Sequence, residues 1–151
     1  ITNSLRGVIV YSTPVLAGDD VEYTIYYLNT GLGDATNVRI CDRVPAYTTF
    51  FPTGYNAGPG QDPKGFAGAD RGLVLAEGNS ERSLTNANDG DAGVYFGPGE
   101  SPATTFPGIS CNGDSSNGSV VVSVPNRIPP ATNAGVPTDS YGYFRFKALV
   151  D

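Results

Sequence analysis

The chain has 151 residues, only 16 % of them charged, with 20 glycines, 12 prolines and a formal net charge of −6. That length suits one domain with a real core rather than two. The nine Lys and Arg residues do not cluster, which excludes a nucleic-acid surface and a polybasic membrane patch, and no apolar run approaches a membrane span or a signal peptide.

Aromatic and β-branched residues, with no sustained i, i+3, i+4, i+7 apolar spacing, predict an all-β chain. Residues 5–11 (LRGVIVY) read as a first strand, apolar on both faces and broken by Thr13-Pro14. Residues 17–50 read as a complete antiparallel hairpin. Gly18-Asp19 makes a turn, and Val21, Tyr23, Ile25 and Tyr27 then alternate with Glu22, Thr24 and Tyr26. Asn29-Thr30-Gly31 and Gly33-Asp34 punctuate the chain. The second strand places Val38 and Ile40 on one face and Arg39 on the other, and Asp42 and Pro45 end it.

A short strand is predicted at residues 48–51, and residues 52–72 form a turn-rich loop, either a structured surface insertion or a contact surface. Strands follow at 72–76 (GLVLA) and 93–96 (GVYF), separated by Asn86, Asn88, Asp89 and Asp91 as turn residues. Residues 98–117 are again turn-rich. Residues 119–124 (SVVVSV) read as a strand covered on both faces, 126–137 as a linker, and 141–150 as the closing strand. In that strand Phe144, Phe146, Ala148 and Val150 face one way, and Tyr143, Arg145 and Lys147 the other. Seven to nine short strands separated by turn clusters predict an antiparallel β-sandwich of one domain, residues 1–151, with no internal repeat.

Cys41 and Cys111 are the only cysteines. A pair in such a chain suits one disulfide in an oxidising compartment, the alternative being two unrelated reduced thiols. Closing a loop of about 70 residues stabilises by about 4 kcal/mol in the chain-entropy model. The chain opens at Ile1, which is expected of a processed product or one piece of a longer polypeptide.

Gly18, Asp19, Val21, Tyr23, Thr24 and Ile25, then Asn29-Thr30-Gly31, then Ala35-Thr36-Asn37-Val38, then Asp42, Pro45, Thr48 and Phe50 form an ordered pattern. This pattern resembles the prokaryotic surface-repeat family called domain of unknown function eleven, over about the first third of the chain. The closing strand is similar to the family's last strand. Ile40-Cys41-Asp42 with a late second cysteine looks like forms found in cyanobacterial surface proteins. The resemblance implies an immunoglobulin-like sandwich in a secreted or cell-wall protein, without enzymatic activity. The long Gly/Pro-rich insertion, residues 52–117, departs from the family pattern, and any function peculiar to this chain is expected there.

Without histidine the commonest general base and zinc ligand is missing, and Lys64 and Lys147 are the only lysines. Lys147 is expected to be a solvated residue, as against the lysine of a Lys–Asn isopeptide staple or a catalytic one. No resident cofactor is expected, with calcium the one candidate. Asn86, Asn88, Asp89 and Asp91 supply oxygen ligands in a short run, as do Asp19-Asp20 and Asp62 with Asp70, although no EF-hand spacing occurs and the same residues are turn formers. Asn117-Gly118-Ser119 fits an N-glycosylation sequon and is equally a turn. Tyr47 and Tyr55 are loop aromatics able either to stack on sugars or to pack.

The expected function is a non-enzymatic structural module of an extracellular filament, sheath or surface layer, assembling through strand edges. Residues 5–11 read either as an ordinary first strand of the chain's own sandwich or as a strand donated to a neighbour, in which case Leu5, Val8, Ile9, Val10 and Tyr11 are the assembly residues. The expected partners are copies of itself or neighbouring surface-protein domains, with no nucleic acid and no membrane insertion. The competing readings are an adhesive or ligand-binding module that uses the loops of residues 52–117, with or without calcium, and a hydrolase, the latter disfavoured by the missing acid–base residues.

Overall fold

A computed structural model describes residues 14–111, 116–131 and 139–151. Among these residues eight strands follow in chain order: β1 (Asp20–Leu28), β2 (Arg39–Arg43), β3 (Thr48–Phe50), β4 (Leu73–Glu77), β5 (Ser80–Leu84), β6 (Gly93–Phe96), β7 (Ser119–Ser123) and β8 (Tyr141–Val150). They form two antiparallel sheets, one ordered β1-β8-β4-β5 with β3 beside β4 along the same edge of β8, the other ordered β2-β7-β6. The chain is an all-β sandwich. The strand expected at residues 5–11, with Leu5, Val8, Ile9, Val10 and Tyr11, lies outside the described residues.

The predicted hairpin does not form. β1 pairs with β8, from Asp20↔Leu149 to Leu28↔Tyr141, while β2 pairs with β7 in the other sheet. The nine-residue alternation of β1 finds its match in the ten-residue, equally alternating β8. The segment between β1 and β2 is too long and too firmly held elsewhere for a tight turn. Asn29 Nδ2 donates to the carbonyls of Gly33 and Ile128 at 2.9 and 2.8 Å, and Ala35 bridges to Ile128. The chain thus crosses from one sheet to the other at this end of the sandwich.

Between the sheets Phe50, Leu73, Leu75, Leu84, Val120, Val122, Phe144, Phe146 and Ala148 form the core. Tyr23 stacks on Phe146 at 5.1 Å and Phe50 on Tyr95 at 4.0 Å. Alternation puts Val121 on the other side of β7, where it packs with Val94 and Phe96 against Cys41, Phe106 and Ile109. β7 is covered on both faces, as its unbroken valines predict.

The two long loops are the covers. Residues 51–72 lie over the outer face of the larger sheet, where Tyr55 is buried and bonds to Glu22 through its hydroxyl at 2.9 Å. Ser83 donates to the Gly60 carbonyl and accepts from the Asp62 N–H, so residues 60–62 run parallel beside β5 and close that edge. Residues 97–111, with a 3₁₀ turn at Pro102–Thr104, cover the smaller sheet. Phe106 meets Phe96 edge-on at 6.1 Å, and the Arg39 guanidinium sits 5.2 Å from the Phe106 ring centroid.

Gly142 shows how tightly β8 is packed. The Tyr27 side chain crosses over it to donate to the Ala76 carbonyl at 3.0 Å, and a Cβ on residue 142 would collide with both the Tyr27 hydroxyl and the Ala76 carbonyl. Gly142→Ala is expected to displace the phenol and destabilise the domain by about 1–3 kcal/mol, read as a lower urea midpoint, through overpacking and a lost buried hydrogen bond.

Candidate functional site

The larger sheet ends on β1 and the smaller on β2 among the described residues, and both edge strands lie on the same side of the sandwich. Along this seam the inner-facing Tyr23, Ile25, Tyr27 and Ile40 are only partly buried. One strand further in, Phe144, Phe146, Val120 and Val122 are completely buried. Among the described residues the core is therefore finished at β8 and β7 and unfinished at β1 and β2. Asn29 donates to its cross-strand partner Ser140 at 2.8 Å, which makes the odd-numbered residues of β1 the ones hydrogen-bonded to β8. Thr24 and Leu28 accordingly turn their N–H and C=O groups away from β8, along the edge.

Cys41 and Cys111 form a disulfide with Cα atoms 5.4 Å apart, as expected, tying edge strand β2 to the end of the loop over the smaller sheet. This bond fits a non-reducing environment. No helix among the described residues is long and apolar enough to cross a membrane.

The outer face of the larger sheet carries a buried charge network that the alternating pattern alone did not reveal. Arg145 is 4 % exposed. Its guanidinium lies 2.8 Å from Glu81 Oε2 and 3.4 Å from Glu22 Oε1, and within cation–π distance of Tyr55 and Tyr143. The Tyr143 hydroxyl bonds to Glu81. Burial opposes the arginine's charge, but Glu22 and Glu81 outweigh it and raise its pKa. Lys147 is no simple solvated lysine. It pairs with Asp20 at 2.7 Å and lies over Tyr55 at 5.8 Å, and its partner is a carboxylate, not an asparagine. Tyr55 is an interior residue and offers no platform to a sugar, whereas Tyr47 is fully out in solvent.

Asn86, Asp89 and Asp91 work as staples for the chain's own backbone. Asn86 accepts from the Gly72 N–H and donates to the Pro52 carbonyl. Asp89 Oδ2 accepts from the Phe66 N–H and the Thr85 hydroxyl, while Asp91 accepts from the N–H groups of Thr85 and Gly93. Asn88 is exposed. No group of three His, Cys, Asp or Glu side chains able to hold a metal ion occurs among the described residues. Asp62 pairs with Arg82 at 2.7 Å, and Asp70 accepts from Asn56. Asn117 is half-buried, and its side-chain nitrogen donates to the Pro45 carbonyl at 2.8 Å, so attaching a glycan there requires breaking that bond.

The carboxylates divide by environment. Burial raises the pKa of Asp91 and Asp42 against the hydrogen bonds they accept. For Asp89 burial is outweighed by hydrogen bonds from Phe66, Thr85 and Asp91, which lower it, and Lys147 lowers Asp20 by hydrogen bond and charge. A raised folded pKa means extra protons in the folded state between 3.8 and that pKa, so stability rises as pH falls through the window. The lowered groups contribute above their unfolded pKa and lose that contribution as pH falls through their folded values. Urea midpoints are expected to hold or rise from neutral pH down to about 4 and to fall below it, with the upper part of the profile reduced in Asp91→Asn and reduced further when Asp42→Asn is added.

The Cys41→Ser, Cys111→Ser double variant is expected to lose about 4 kcal/mol, for a closed loop of this length, measured as a shift of the thermal midpoint against the oxidised chain.

Comparison with protein-family models, with curated proteins and with solved structures yields no match to this chain.

Proposed function

We propose that the chain is an immunoglobulin-like structural module of an extracellular filament, sheath or surface layer, which associates with copies of itself or with neighbouring surface domains through the β1 edge. The unfinished β1–β2 seam carries this reading. A strand laid along β1 gains main-chain hydrogen bonds at positions such as Thr24 and Leu28, and its inward side chains complete the cover over Tyr23, Ile25, Tyr27 and Ile40. The segment of residues 5–11 has the length and apolar character for that strand, and its donor is a neighbouring copy. The resemblance of residues 18–50 to the surface-repeat family and the disulfide support the extracellular setting.

Proline at an outward-facing edge position removes an N–H that the β1–β8 ladder does not use. Thr24→Pro is expected to give a folded chain that stays monomeric by light scattering and forms no assemblies in electron micrographs, under conditions where the unaltered chain assembles. Ile25→Pro, one residue on, breaks the ladder itself and is expected to unfold. A synthetic peptide of residues 1–13 is expected to bind a chain lacking residues 1–11. Undiminished assembly by Thr24→Pro would sink the edge-association reading.

A further inference from the structure

Six large apolar side chains are exposed among the described residues, and all but Phe66 stand at the two ends of the β1–β8 pair. At the end where β1 begins and β8 finishes, Val15 and Leu16 lead into a turn whose Gly18 N–H donates to the Val150 carbonyl. Tyr47, 83 % exposed, belongs to the same end, since its carbonyl accepts from the Asp151 N–H. At the opposite end, about 27 Å along the sheet, lie Leu28 and the fully exposed Leu32, in the loop held by Asn29. Two unlike apolar ends on one chain fit a head-to-tail stack of copies, a heterologous contact that extends into a filament.

Inside the seam one residue interrupts the apolar row. β2 starts from the Leu28 end and leads toward Tyr47, and its inward positions run from Ile40 through Asp42 to the core residue Val44. Asp42 is half-buried; its Oδ1 accepts from the Arg43 N–H at 2.9 Å, and no ion pair reaches it among the described residues. Burial raises its pKa, and burial followed by the Asp42 charge raises that of the Tyr23 phenol, which sets the carboxylate level with Tyr23 of β1. A carboxylate that an added strand would bury further needs a cation on that strand. Residues 1–13 carry a single charged side chain, Arg6. A strand parallel to β1 with Arg6 beside Tyr23 sets Val8 beside Ile25 and Val10 beside Tyr27, while Ile9 and Tyr11 meet Tyr26 and Leu28 on the outer side. Tyr11 then lies at the Leu28 end, and the three residues from there to Pro14 span about 10 Å. The chain's own Pro14 is at the far end, beside Val15, so a strand returning within the same chain runs antiparallel and carries Arg6 toward Tyr27, away from Asp42. We infer that a second copy, seated with its Val15–Leu16–Tyr47 end on the Leu28–Leu32 end, lays residues 5–11 parallel to β1 and fixes the register by pairing its Arg6 with Asp42. This rests on the edge-association reading. A slip of one residue turns Arg6 and both valines out of the seam.

Charge reversal in the oxidised full chain tests this, with assembly followed by light scattering and electron microscopy. Arg6→Glu alone and Asp42→Arg alone are each expected to raise the concentration needed for assembly at least tenfold. An equimolar mixture of the two is expected to restore it, because in an alternating stack every donated strand meets the opposite charge. A contact within one chain gains nothing from mixing. Asp42→Asn, which keeps the side chain's shape, weakens assembly by a smaller factor, and Leu32→Asp weakens it without lowering the thermal midpoint. Undiminished assembly by Arg6→Glu or by Asp42→Asn overturns the inference, as does a mixture no better than its components when both keep the circular dichroism of the unaltered chain. Assembly by Arg6→Glu but not by Thr24→Pro removes only the register and its ion pair, whereas assembly by Thr24→Pro removes the edge reading as well.

Discussion

Everything in this sandwich depends on keeping both faces of β8 dry. The strand is hydrogen-bonded to β1 along one edge and to β3 and β4 along the other, so its backbone is satisfied without water. On its inner face Phe144, Phe146 and Ala148 are fully buried by β7 and β4. The outer face carries Arg145, and a buried guanidinium is tolerated only when charge and hydrogen-bonding partners surround it. Glu22 comes from β1 and Glu81 from β5, one on each side, while Tyr55 closes over the top from a loop. The length of the 51–72 segment follows from that requirement. A tight turn from β3 to β4 would leave Arg145 and its neighbours facing water.

The smaller sheet solves the same problem with different chemistry. β7 presents valines to both sides, and apolar residues of the 97–111 loop cover the outer one. A cover made of a few apolar contacts on a three-stranded sheet has little to hold it, and the disulfide anchors its far end to the edge strand. Arg39 over the Phe106 ring adds a second attachment on the same face of β2. One loop is fixed by ions and hydrogen bonds, the other by a covalent bond.

Much of this was legible in the sequence, and what was not has identifiable physical causes. β8 and β6 fall where alternation places them, and the doubly covered β7 is announced by its unbroken valines. β5 escaped because Ser80–Leu84 carries Glu, Arg and two serines, which read as loop until its partner is known. The Gly78-Asn79 pair preceding it was the available signal, a two-residue hairpin turn with Gly78 at φ +57°. The hairpin error has a different origin. Alternation says that a strand has one buried face but not which strand lies beside it, and β1 matched the far end of the chain. Tyr55 and Tyr47 illustrate the same limit, since two loop tyrosines of similar context have opposite fates and only tertiary contacts separate them.

The distribution of finish across the two sheets links the architecture to its use. On the β4–β5 side, residues 60–62 run beside the last strand and remove it as an edge. The outer face of each sheet has its own loop. Along the β1–β2 seam the inner row of side chains remains partly exposed, and β1 is the longest strand but one. Natural sandwiches blunt such edges with charge, proline or bulges when association is harmful. Here the inner seam is lined by Tyr23, Ile25, Tyr27 and Ile40, and the long regular pairing of β1 with β8 keeps the edge straight over nine residues. The disulfide and the loop it anchors occupy the opposite face of β2, which leaves the inner side of the seam as the surface where an added strand recovers the most apolar burial.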